Sequence, residues 1–175
     1  MASSMEQQIS APARVHAALT AAGVNARIEE FPSSTRTAQD AANTVGTSVG
    51  QIVKSLVFLA GGLPVMALVS GVNRLDTQRL AELSGAEIGK ADADAVRQAT
   101  GYSIGGVPPI GFPAPIPTFI DRDLLQYDVV WAAAGTPRHV FPIAPTELVR
   151  ITGGRVGDLK APTLPSPASW GGVNE

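Results

Sequence analysis

The chain has 175 residues, 45% of them hydrophobic and 16% charged, which is enough to bury a core unaided and too apolar for a disordered protein. It has no cysteine, which excludes disulfides, thiolate nucleophiles and Cys-ligated zinc. The net charge is −2 with no cluster of like charge, so any binding to nucleic acid has to be weak or assisted, because the usual basic stripe is missing.

Residues 1–10 lack a basic segment followed by an apolar one and do not read as a signal peptide, and no apolar run reaches the ~20 residues that span a bilayer. A soluble cytoplasmic protein is expected, with a flexible N-terminus over 1–10, one domain over 11–160 and a Pro/Gly/Ser-rich tail over 161–175. Val15, Ala18, Leu19 and Ala22 recur at helical spacing and end at Gly23. Residues 26–31 form a short strand candidate closed by Pro32. Thr37 is placed to cap a helix, with Asp40 three residues on and Gly46 as the stop.

Residues 51–59 carry Ile52, Val53, Leu56, Val57, Phe58 and Leu59, the clearest strand in the chain. Gly61-Gly62 then predicts a hairpin to a second apolar strand over 63–69, and two strands with so little polar alternation suggest a sheet covered on both faces. Asp76 and Asp92 are placed to cap short helices stopped by Gly85 and Gly101, with a strand candidate over 86–90 between them. Residues 113–117, with prolines at 113, 115 and 117, must be extended. Strands are expected over 118–120, 129–133 and 139–143, then a helix from Pro145 to Gly153 and a last strand over 155–159. Interspersed strands, hairpins and short helices specify an α+β domain with a mixed sheet.

Two features invite chemistry. Residues 101–111, Gly-Tyr-Ser-Ile-Gly-Gly-Val-Pro-Pro-Ile-Gly, hold too many glycines and prolines for a helix or interior strand yet keep large apolar side chains. Such a segment is a stiff loop that presents backbone, read equally well as a structural connection or a binding loop. Lys54 is the second, an ion amid the apolar residues of one strand, which must snorkel out, find a counter-ion or sit at a cleft. His16 reads as a surface residue, and His139 as one that half-fills or faces a pocket. Asp121 and Asp123 read as acids at a helix start. The phosphate loops and zinc-ligand spacings are missing. An enzyme built from this inventory would position a water with backbone groups and a lysine.

Thr37-Ala38-Gln39-Asp40-Ala41-Ala42 precedes the Lys54 strand, and a G-x-x-x-P loop, Gly105 to Pro109, is followed by Pro117-Thr118-Phe119-Ile120-Asp121. With Gly135 to His139 and Pro145 to Val149 in the same order, the chain resembles the YbaK/prolyl-tRNA synthetase-associated editing domains over about residues 26 to 160. The resemblance implies a single α+β domain with a central mixed, barrel-like sheet surrounded by short helices. It also implies a trans-acting aminoacyl-tRNA deacylase that removes a small wrong amino acid from a mischarged tRNA, typically tRNA(Pro), with no metal and no cofactor. Its partners would be the tRNA acceptor end and prolyl-tRNA synthetase. Lys54, in contact with the terminal adenosine, and Gly105 would carry catalysis. Phe31, Gly106, Val107, Pro108, Pro109 and His139 would bind substrate. Pro108 stands where Ser or Thr is common in the family, and Phe31 where some relatives carry Tyr. The same loop and lysine would also serve a non-catalytic module binding a small ligand or another protein.

Overall fold

The computed structural model describes residues 9–33 and 37–162. The expected N-terminal and C-terminal flanks fall outside the described residues, apart from positions 9, 10, 161 and 162. Helix α1 (Ala11–Ala21) is capped by Ser10, whose hydroxyl accepts the Ala13 N–H at 3.2 Å. The expected strand over 26–31 shrinks to β1 (Glu29–Glu30), because only this pair aligns with a partner strand. Helix α2 (Ala38–Val45) starts at the Thr37 cap, where the hydroxyl accepts the Asp40 N–H at 2.9 Å, and ends on Gly46 in the left-handed conformation.

Strands β2 (Val53–Ala60) and β3 (Leu63–Ser70) form the expected hairpin, with Gly61 and Gly62 at φ 57° and 86°. Two successive positive φ values make the turn that matches the twist of paired strands. Then follow α3 (Thr77–Ser84), β4 (Ile88–Lys90), α4 (Ala93–Thr100), β5 (Thr118–Asp121), β6 (Val130–Ala133), β7 (His139–Ile143), α5 (Pro145–Thr152) and β8 (Arg155–Gly157). Five strands lie in the order β4-β2-β3-β5-β8, with β4, β2 and β3 antiparallel and β5 and β8 joining parallel. A second sheet, β1-β7-β6, is antiparallel. The two meet at a parallel bridge between Ile52 and Trp131, so the expected single mixed sheet is two pieces sharing one seam.

The five-stranded sheet is buried on both faces. One face carries Val53, Met66, Leu68 and Ile120 and packs against α1 through Val15 and Leu19. The other carries Leu56, Phe58, Val69 and Phe119 under Leu75 and Leu80. This double burial explains why β2 and β3 lack a polar alternation. A third cluster of Phe31, Ala38, Ala41, Ala42, Ile52 and Val140 fills the seam between the sheets.

Leu19 has no exposed surface, whereas Leu63 at the hairpin tip is 71% exposed. Leu19→Ala should therefore lower the unfolding free energy by about 2–5 kcal/mol, and Leu63→Ser should change it by less than ~0.5 kcal/mol. Urea denaturation of the two variants checks the contrast.

Candidate active site

The loop after α4 is fastened at both ends. Gly101 ends the helix at φ 83°, the Thr100 hydroxyl accepts the Tyr102 N–H at 3.0 Å, and the buried Tyr102 donates its own hydroxyl to the Gly111 carbonyl at 3.2 Å. Inside it, Gly105 has φ 95° and is exposed, while residues 106–109 are buried. Gly106 donates to the Ser103 carbonyl at 3.0 Å and accepts the Gly135 N–H at 2.9 Å. A Cβ on Gly106 would lie 2.6 Å from the Thr136 Cα and 2.8 Å from the Gly135 carbonyl group. Glycine is required at 106 because the chain's own turn approaches there, which leaves Gly105 as the glycine open to a ligand.

Pro108 and Pro109 have no N–H to give. Among the described residues, the N–H groups of Gly105 and Val107 make no hydrogen bond within the chain. Paired backbone donors are the rule in buried segments, so an unpaired donor on the buried Val107, beside the exposed one of Gly105 on a fixed loop, marks this stretch as one able to receive an oxygen ligand.

The turn that faces the loop runs from Gly135 to Arg138 and leads into His139. The Thr136 hydroxyl accepts the Arg138 N–H at 3.1 Å and lies 2.5 Å from His139 Nδ1. His139 Nε2 is 3.7 Å from a Glu30 carboxylate oxygen, which also sits 3.5 Å from the Arg138 guanidinium. The network is satisfied when the hydroxyl donates to Nδ1 and the ring proton sits on Nε2, toward Glu30. Arg138 in turn donates to the Phe31 carbonyl at 3.2 Å and receives the Phe31 N–H at 2.6 Å. The loop, His139 and Phe31 are thus gathered around one turn. The Phe31 ring itself is 3% exposed and belongs to the seam core.

Lys54 belongs to another group. Its register partner on β3 is Val69, and the β3–β5 register carries the same row on to Asp121. All three point from the face of Leu56 and Phe119, whereas Val107 packs in the layer of Val53, Met66 and Leu68. The ammonium group, 4% exposed, donates to the Asn73 carbonyl. Asp121 has no exposed surface and accepts the Ser70 N–H at 3.0 Å, the Asn73 amide at 2.8 Å and the Asp123 N–H at 3.0 Å. Asn73 also reaches Asp123 at 2.8 Å, and the Ser70 hydroxyl donates to the Gly50 carbonyl at 2.7 Å. Asp121 does cap the short helix after β5, as its position suggests, but it is also the buried anion of the Lys54 network. Burial pushes the Lys54 pKa down from 10.5 to about 8, against the pull of Asp121.

Sequence reasoning missed Asn73, Asp121, Thr136, Arg138 and Glu30 as parts of these networks. The one available signal was the acid ending an otherwise apolar strand at 118–121. Among the described residues no group of three or more His, Asp or Glu side chains is placed to hold a metal ion.

The aminoacyl-tRNA editing domain family matches residues 32–151. A protein of Enterococcus faecalis named EbsC, a candidate Cys-tRNA(Pro)/Cys-tRNA(Cys) deacylase, is 29% identical over 124 residues, covering 70% of this chain and 76% of that one. The proline–tRNA ligase of Thermoanaerobacter sp. X514 is 30% identical over 116 residues, 64% of this chain but 20% of the ligase. Among solved structures, a candidate trans-editing enzyme for prolyl-tRNA synthetase superposes with a TM-score of 0.84 at 48% identity, over 87% of this chain and 98% of that one. The α+β fold is therefore shared with that candidate trans-editing enzyme.

Two outcomes follow from the geometry. Gly106→Ala should destabilise the protein more than Gly105→Ala, whose Cβ would meet Pro137 only at 3.5 Å, and comparison of their melting temperatures checks the order. For Lys54 the unfolded chain keeps its proton up to pH 10.5 while the folded one releases it near pH 8. The unfolded state therefore holds more protons in that window, and stability rises with pH across it, the penalty of roughly 3 kcal/mol being present in full below pH 8. Denaturant titrations should show wild type gaining on Lys54→Met between pH 8 and 10.5, and a flat difference would place the ammonium in contact with water.

Proposed function

The chain belongs to the aminoacyl-tRNA editing domain family, and we propose that it works in the cytoplasm as a trans-acting deacylase, hydrolysing the ester between tRNA(Pro) and a small wrong amino acid. The observation that carries this reading is the pair of unpaired N–H groups at Gly105 and Val107, on a loop locked to the 135–138 turn. An aminoacyl ester is already activated, so a site that fixes its carbonyl needs no covalent nucleophile. Water adds its oxygen to the ester carbon, the bond to the ribose oxygen breaks, and the water's second proton ends on that oxygen. The products are a free amino acid and a tRNA with a free terminal hydroxyl. The N–H groups of Gly105 and Val107 stabilise the negative charge that builds on the carbonyl oxygen.

In this reading His139, oriented by Thr136 and Glu30, borders the amino-acid side of the loop. Lys54 serves by fixing the ends of β2, β3 and β5 through Asn73 and Asp121, a narrower role than direct contact with the terminal adenosine. Likeness to a candidate trans-editing enzyme over 98% of that chain supports action in trans, and likeness to proline–tRNA ligases supports tRNA(Pro) as the carrier and prolyl-tRNA synthetase as the partner.

The test is a panel of tRNA(Pro) esters of alanine, cysteine, serine and threonine, with ester loss followed against the spontaneous rate. Accelerated loss of at least one ester supports the deacylase, and protection of every ester would make the protein a binding module. Gly105→Ala forces a side chain into φ 95° and shifts the donors, so kcat should fall by about 100-fold or more. His139→Ala should cost less, and an inactive His139→Ala beside a near-normal Gly105→Ala would move the chemistry to the histidine.

A further inference from the structure

We propose, resting on the deacylase reading, that Arg14 of α1 is a positioning residue for the Gly105 loop, clamping its entry from outside the residues that the family model matches. The family match begins at residue 32 and leaves α1 out. Yet this helix touches the loop at both ends and the turn that faces it. Arg14 donates from Nη2 to the Gly101 carbonyl at 3.2 Å, and its guanidinium lies 4.6 Å from the centre of the Tyr102 ring. A Cβ at Gly111 would sit 3.5 Å from the Ala18 methyl, and one at Gly135 would sit 2.8 Å from the Ala11 backbone. Val15 and Leu19, with no exposed surface, fix the helix in the core.

Gly101 and Gly111, at φ 83° and 93°, are the two ends about which the loop would swing. Tyr102 closes it on the inside through Gly111, and Arg14 holds Tyr102 and Gly101 from the outside with one planar group. A guanidinium stacks on a ring and donates in its own plane at the same time, which an ammonium does not. Arg97, on α4, adds a second tie by donating to the Ser103 hydroxyl at 2.7 Å. The Gly105 and Val107 donors lie downstream of these fastenings, and small displacements of a catalytic group are costly.

The test compares Arg14→Met, which keeps an apolar stem, with Arg14→Lys, which keeps only the charge. With misacylated tRNA(Pro), Arg14→Met should lower kcat roughly 10- to 100-fold while KM changes by less than about twofold, and Arg14→Lys should recover only part of the loss. A KM increase with unchanged kcat would make Arg14 a substrate contact and overturn the proposal. A loss of kcat that merely tracks a lower melting temperature would overturn it as well. A second readout needs no substrate. Burial raises the pKa of the Tyr102 hydroxyl and the Arg14 charge draws it back, so in ultraviolet titration Tyr102 should ionise at higher pH in Arg14→Met and stay nearly in place in Arg14→Lys. Faster amide exchange at Gly106 and Gly135 should accompany it. If wild type cleaves no ester, the deacylase reading falls while titration and exchange still decide the clamp. Unchanged titration and exchange in Arg14→Met would remove it.

Discussion

The site depends on a contact between two backbones. Gly106 and Gly135 share a hydrogen bond and lie so close that neither the loop nor the turn has room for another carbon at position 106. The loop runs between α4 and β5 of the five-stranded sheet, and the turn joins β6 and β7 of the three-stranded one. Their junction is a second tie between the sheets, beside the Ile52–Trp131 bridge. A single hydrogen bond of this kind contributes about 1 kcal/mol to stability. Its larger effect is geometric, since it sets where Gly105, Val107 and His139 stand relative to one another.

The buried ion network on the other side of β2 has a different character. Enclosing an ammonium and a carboxylate costs desolvation that their attraction only partly offsets, so such a pair is a weak source of net stability. What it supplies is order. Asp121 draws together the end of β3 through Ser70, the following bend through Asn73 and the short helix through Asp123, while Lys54 anchors β2 to the same bend. Removing one partner leaves the other charge buried, so a change at Lys54 acts on folding.

The two arrangements explain how the scaffold and the loop divide the work. Strands with apolar residues on both faces hold the ends of β2, β3 and β5 rigid, and α1 and α4 hold the loop against them. The use of main-chain donors, as proposed for the loop, would place unusual demands on such support, because a backbone N–H cannot be re-aimed by a rotamer change. The requirement falls on φ and ψ, and so on glycines, prolines and the side chains that pin the loop's ends.

Local sequence alone determined most elements: the Thr37, Asp76 and Asp92 caps, the glycine stops at 46, 85 and 101, and the Gly61-Gly62 hairpin all follow from interactions spanning at most a few residues. The stiff, backbone-presenting loop at 101–111 was legible for the same reason. Tertiary structure decided the rest. Strand order put Asp121 on the face of Lys54, one strand away across Val69, although 67 positions separate them in the numbering, and so turned an apparent helix-start acid into a buried charge that acts on the lysine. It also showed that Gly106 yields to the turn while Gly105 faces outward, and it cut the strand candidate over 26–31 to two residues. A residue's type reports what it can do within its own turn or strand, but which partner a buried charge meets, and which backbone a glycine must admit, is set by segments that only folding brings together.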